Sequence, residues 1–256
     1  MDGVVPPWES KDASYVDSWF LMGSPAKIII VCVSYLVFVL KLGPYLMKDR
    51  QPFQLKNVIL TYNILQVIYS AYLFKLATVI LYKTGLAPDK CIDESPDLQY
   101  EFFFGTHIYT IAKLTELLDT VFFVLRKKHQ QVSVLHVYHH CGILLYSWAM
   151  LYFKFTALSI IVLGFLNTFV HLVMYSYYAV STFPEIAKYI WWKKYITKMQ
   201  MIQFVLIMMY VVFEYCTSPC QLSNKLLVTF LINLSLVLYL FMDFYKKSYK
   251  NAKSEL

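Results

Sequence analysis

Seven apolar stretches constrain this chain more than any other feature. Each is about 20 residues long, enough to cross a hydrocarbon core of roughly 30 Å. Lipid offers no water to bond free N–H and C=O groups, so the backbone inside such stretches must satisfy itself, which a helix does within one segment. The stretches run near Ala26 to Met47, Val58 to Tyr82, Phe102 to Leu125, Val132 to Tyr152, Phe155 to Val180, Ile196 to Tyr215 and Leu226 to Tyr245. Pro184 marks where the fifth must stop, because its fixed φ and missing N–H break a helix.

Composition agrees with this reading. The 256 residues are 59% hydrophobic and 15% charged, against about 25% charged in soluble domains. The expected fold class is therefore all-α integral membrane, with seven transmembrane helices. The formal charge of +7 does not point to nucleic acid, since the basic residues fall in short runs between apolar stretches, as in cytosolic loops. With seven spans, one side collects fifteen lysines and arginines, among them Arg126, Lys127, Lys128, Lys193, Lys194 and Lys247, and the other side six. The C-terminus is expected to be cytosolic and the N-terminus lumenal.

Three segments follow: a lumenal N-terminal segment over 1–25, one seven-helix domain over 26–245, and a basic cytosolic tail over 246–256. Met1 to Ser24 lacks the basic start of a cleavable signal. Cys91 lies in the loop after the second stretch, and Cys216 and Cys220 in the loop after the sixth, all on the non-cytosolic side. An oxidising lumen permits a disulfide there, so Cys91 is expected to pair with Cys216 or Cys220, with Cys220 preferred. Cys32 and Cys141 fall within stretches and read as packing residues.

Polar residues inside lipid-length stretches carry the functional signal, because each buried charge there costs about 2.5 to 3.5 kcal/mol on insertion scales. The third stretch holds Lys113, Glu116, Asp119 and Thr120, spaced three and four apart along one helical face. A helix-helix ionic lock would explain them, as would a polar cavity wall. The fourth holds His136, His139 and His140, three of the chain's six histidines within five positions, on one stripe. The fifth holds Asn167, His171, Tyr175 and Tyr178 at intervals of four, four and three. The sixth opens with Thr197, Gln200 and Gln203, which interhelical hydrogen bonds would explain equally well. Four consecutive polar faces are most economically arranged as about six helices in a barrel around a chamber, with the polar stripe toward the cytosolic side.

The ordered set Lys113-x-x-Glu116-x-x-Asp119-Thr120, His136-x-x-His139-His140, His171-x-x-Met174-Tyr175-x-Tyr177-Tyr178 and Thr197-x-x-Gln200-x-x-Gln203 resembles the ELO family of very-long-chain fatty acid elongases. The resemblance covers the second stretch to the end of the seventh. It implies a multi-pass endoplasmic reticulum membrane enzyme with six helices around an acyl tunnel. The implied reaction joins a long-chain acyl-CoA to malonyl-CoA, releasing CoA and carbon dioxide and giving a 3-oxoacyl-CoA.

Under that resemblance His139 takes the acyl group, and His136 and His140 orient it or exchange protons. His171 and Tyr175 polarise the malonyl thioester, while Lys113, Glu116 and Asp119 set the local charge. Asn167, Tyr178, Gln200 and Gln203 bind substrate, and Arg126, Lys127, Lys193, Lys194 and Lys247 meet CoA phosphates. No metal or other cofactor is expected. Expected partners are acyl-CoA and malonyl-CoA, membrane lipid, a second copy in a homodimer, and the 3-oxoacyl-CoA reductase with the other elongation-cycle enzymes; nucleic acid is not among them. Lys253 lacks the second lysine of a dilysine retrieval signal, so retention by that route is not expected.

Two rival chemistries fit the same residues less well. A cysteine nucleophile would have to be Cys141, which lies about 140° around the helix from His136 and so faces away from it. A di-iron desaturase site needs about eight histidine ligands, more than the six present. A seven-span receptor or transporter tolerates buried charge but gives no reason for a three-imidazole stripe.

Overall fold

A computed structural model describes residues 13–189, 191–220 and 223–250, which divide into two compact units. Every regular element among them is helical. Parts of the expected N-terminal segment (1–12) and basic tail (251–256, with Lys253) lie outside the described residues.

The first unit takes residues up to Gln54 and Lys90–Ala157. A short 3-10 turn, Ser14–Ser18, precedes α1 (Pro25–Met47). Ser24 caps α1 by accepting from the Ala26 N–H at 3.3 Å, and Pro25 occupies the first turn, where its missing N–H has no partner to lose. A π-turn over Phe38–Leu42 lies inside α1. Gly43 follows it because a Cβ there would come within 2.7 Å of Val124 Cγ1 and 2.8 Å of the Phe38 carbonyl. The next long helix of this unit, Pro96–Glu116, stops at Leu117 and restarts as Leu118–Leu125. The last, Val134–Tyr152, is capped by Ser133, whose hydroxyl accepts from the His136 N–H at 3.2 Å. A buried bond of 2.6 Å between the Tyr35 and Thr120 hydroxyls ties α1 to Leu118–Leu125.

The second unit takes Leu55–Asp89 and residues from Leu158 onward. Its helices are Lys56–Thr84, Leu158–Val180, Lys193–Thr217 and Asn224–Tyr245. They pack as a row in that order. In chain order the helices are α1, α2 (Lys56–Thr84), α3 (Pro96–Glu116), α4 (Leu118–Leu125), α5 (Val134–Tyr152), α6 (Leu158–Val180), α7 (Lys193–Thr217) and α8 (Asn224–Tyr245). Phe74 and Phe165 stack at 4.7 Å between α2 and α6. Glu214 of α7 caps α6, its two carboxylate oxygens accepting from the Leu158 and Ser159 N–H groups at 2.6 and 2.9 Å. An anion at a helix N-terminus satisfies orphan donors and opposes the positive end of the helix dipole.

Five helices among the described residues are long and apolar enough to cross a membrane: α1, α2, α6, α7 and α8, the last continuing to Tyr249. The other two expected spans fall on α3 with α4 and on α5. These carry Lys113, Glu116, Asp119 and the three histidines, and the first is interrupted at Leu117. The helices that apolar length alone does not pick out are thus the ones that carry the buried ion pair and the histidine cluster. The disulfide-bonded cysteines are Cys91 and Cys220, while Cys32, Cys141 and Cys216 are free thiols.

Candidate functional site

Ionisable chemistry concentrates at one end of the first unit. Lys113 and Glu116, one turn apart at the end of α3, form an ion pair at 2.7 Å with side chains only 2% and 3% exposed. The Lys113 ammonium also lies 4.8 Å from the centroid of the Tyr109 ring. Burying two charges costs several kcal/mol per ion before their attraction offsets it, so such a pair is weak evidence for stability. The break at Leu117 turns the chain, leaving Asp119 half-buried and Thr120 fully buried on α4.

On α5 the three imidazoles occupy the first two turns. His136 and His140 lie 4.3 Å apart and His139 and His140 5.6 Å apart, ring centre to ring centre, and Phe123 closes over His136 at 5.1 Å. Glu116 is within electrostatic range of both His136 and His140. The buried His136 Nε2 and His140 Nδ1 have no hydrogen-bond partner among the described residues. These nitrogens are thereby open to exchange a proton with a bound molecule. Cys141 is turned toward α1, its thiol within hydrogen-bonding reach of Cys32. Among the described residues no group of three or more His, Cys, Asp or Glu side chains is placed to hold a metal ion.

The second unit carries a different surface, neutral and hydrogen-bonding. Asn167, His171 and Tyr175 are buried along α6, Tyr175 completely, while Tyr178 is 39% exposed. The His171 and Tyr175 rings lie 5.7 Å apart and Tyr175 and Tyr178 5.9 Å apart. On α7, Gln200 donates a weak bond to Met174 Sδ at 3.4 Å. Gln203 is buried, and its Oε1 has no partner among the described residues.

Sequence reasoning passed over a stripe on α2, where Tyr62, Asn63, Gln66 and Ser70 are all buried. The Tyr62 ring meets Tyr175 edge-on at 6.1 Å. The signal was present as polar residues three and four apart inside an apolar stretch. Glu214 was also missed, because its partners lie more than fifty residues away in sequence.

The basic candidates are more scattered. Arg126 and Lys193 are exposed and Lys194 half-buried. Lys127 donates to the Lys48 carbonyl at 2.9 Å, and Lys247 pairs with Asp243 at 2.8 Å.

Residues 20–255 match the ELO family, described as the GNS1/SUR4 family. A very long chain fatty acid elongase of Aedes aegypti is 39% identical over 92% of this chain and 66% of its own length. Very long chain fatty acid elongase 7 of Drosophila melanogaster is 40% identical over 90% and 70%, and elongase 4 of Homo sapiens 37% over 93% and 76%. The chain thus spans about two thirds to three quarters of the length of these three relatives.

Proposed function

The chain belongs to the ELO family, and on that premise we propose that it is the condensing enzyme of fatty acid elongation, a 3-oxoacyl-CoA synthase. The observation that carries the reading is the buried Lys113–Glu116 pair beside three clustered imidazoles, at the end of an apolar unit. Relatives named very long chain fatty acid elongases support a role in lipid biosynthesis, and the apolar helices a multi-pass membrane protein.

In the proposed reaction the neutral His139 imidazole attacks the acyl thioester carbonyl. The C–S bond breaks, CoA leaves as the thiol with the proton given up by His139, and an acyl-imidazole remains. Splitting the transfer in two is what a covalent intermediate contributes. Malonyl-CoA then loses carbon dioxide, and the electron pair left on its C2 attacks the acyl carbonyl. The new C–C bond forms as the imidazole leaves, taking up one proton from solvent by way of His140, and the product is a 3-oxoacyl-CoA two carbons longer.

His140 and His136 pass the protons between steps. Lys113, Glu116 and Asp119 set the charge around them. His171 and Tyr175 hold the malonyl thioester oxygen as negative charge develops on it, and Asn167, Tyr178, Gln200 and Gln203 hold the rest of the substrate. Arg126, Lys127, Lys193, Lys194 and Lys247 meet CoA phosphates. The mechanism asks nothing of a metal or other cofactor.

This reading keeps α3 with α4 and α5 as the third and fourth of seven spans, with six spans around an acyl tunnel. The site is an endoplasmic reticulum membrane with the N-terminus lumenal and the C-terminus cytosolic, alongside a second copy, the 3-oxoacyl-CoA reductase and the other elongation-cycle enzymes. Purified protein is expected to incorporate label from malonyl-CoA into a long-chain acyl-CoA. The His139→Ala variant should lose about a thousand-fold or more in kcat; near-normal turnover would overturn the assignment.

A further inference from the structure

The buried side of α2 changes character along the helix. Tyr62, Asn63, Gln66 and Ser70 come first, then Leu73, Ala77 and Ile80. Its other side, with Ile64, Leu65 and Ile68, is apolar and exposed. The buried side of α6 changes in the reverse order, mainly apolar over Leu158 to Leu163 and then carrying Asn167, Thr168, His171 and Tyr175. The two helices run antiparallel, with Tyr62 meeting Tyr175 at 6.1 Å between ring centres and, further on, Phe74 stacking on Phe165 at 4.7 Å. Polar half therefore lies on polar half, and apolar half on apolar half.

Between those two contacts the register sets Gln66 opposite His171 and Ser70 opposite Asn167 and Thr168. Both stripes recur at intervals of four, Tyr62, Gln66 and Ser70 on α2 and Asn167, His171 and Tyr175 on α6, so turn faces turn along the seam. Packing of apolar side chains is enough to join two such helices, whereas a buried amide left without a partner costs about 1 to 3 kcal/mol. A polar stripe matched turn by turn to the candidate substrate-binding stripe is therefore more than a means of holding the helices together.

We propose that Tyr62, Gln66 and Ser70 are positioning residues, which hold Tyr175, His171 and Asn167 in the orientation that meets the malonyl thioester. The proposal rests on the elongase reading. A neutral imidazole has one N–H and one acceptor nitrogen, and the bond made at one nitrogen fixes the state of the other. For His171 to donate to the thioester oxygen, its other nitrogen must accept, and the Gln66 amide is the donor that the register supplies. Tyr62 holds the Tyr175 ring from its edge, and Ser70 steadies the Asn167 amide.

The first test measures kcat/KM separately for a long-chain acyl-CoA and for malonyl-CoA in purified protein. Gln66→Leu should lower the malonyl-CoA value by about ten-fold or more and leave the acyl-CoA value within about two-fold. Ser70→Ala, a smaller change, should lower the malonyl-CoA value by about two- to ten-fold and carries the same test if Gln66→Leu does not fold. Leu65→Ala, on the exposed side of α2, should change neither. Equal falls for the two substrates, or no fall for malonyl-CoA, would overturn the proposal.

A second measurement does not depend on turnover. In protein with isotope-labelled histidine ring nitrogens, the His171 resonances are identified by their loss in His171→Gln. They should report a single neutral tautomer in the wild type and a mixture of the two in Gln66→Leu; the same tautomer in both would overturn the role of Gln66. Absence of any malonyl-CoA-dependent elongation in the wild type would overturn the elongase reading instead.

Discussion

The two units bury polar residues in opposite styles. At the end of α3 and the start of α5, the first unit buries full charges, with Lys113 and Glu116 at 2.7 Å beside clustered imidazoles. The second buries mainly neutral groups, Asn63, Gln66, Asn167, Thr168, Tyr175 and Gln203, along α2, α6 and α7. Its one buried carboxylate among the described residues, Glu214, is spent on capping α6. Charge is what moves protons and stabilises a leaving group, whereas neutral hydroxyls and amides orient a substrate without altering its charge. On the proposed function, the first unit carries the acyl transfer, and the second holds malonyl-CoA and steadies the charge that develops on it.

Single and double variants of the ion pair break that comparison most sharply. Lys113→Met alone should destabilise by about 3 to 5 kcal/mol, because Glu116 is left as an uncompensated buried charge. Lys113→Met with Glu116→Gln should recover most of that stability while activity stays lost. Melting in detergent, read beside elongation assays, separates the two effects, and equal melting of the single and double variants would contradict the account.

Glu214→Gln should cost about 1 to 3 kcal/mol, the range for a charge-assisted bond to a helix end, with the product-length profile unchanged. Tyr175→Phe keeps the packing of a fully buried ring and removes only its hydroxyl. Its kcat should fall by about ten-fold or more with little change in melting; equal kcat would remove Tyr175 from the reaction. The smallest effect has the opposite sign. Gln203→Leu removes an amide whose oxygen has no partner among the described residues, so the fold should gain up to about 1 kcal/mol while KM for malonyl-CoA rises. A melt lowered by several kcal/mol would make Gln203 structural.

Much of this was readable from residue order. The helix boundaries follow from apolar length and from caps that announce themselves, Pro25 after Ser24, Ser133 before α5 and Ser223 before α8. The stripes of α5, α6 and α7 follow from spacings of three and four. The break at Leu117 was not readable, since leucine is a good helix former and no glycine or proline marks the site. Nor was the cap on α6, because long-range pairing leaves no local signal. The packing of the N-terminal segment was not readable either, because nothing local among its acids announces that Val16 and Met22 are buried.

The account turns on one imidazole, and intact-protein mass spectrometry addresses it most directly. Purified wild-type protein incubated with a long-chain acyl-CoA and no malonyl-CoA should gain the mass of one acyl group, mapped to His139 and discharged when malonyl-CoA is added. No mass gain in protein that goes on to elongate the same acyl-CoA, or an equal gain in the His139→Ala variant, would contradict an acyl-enzyme at His139.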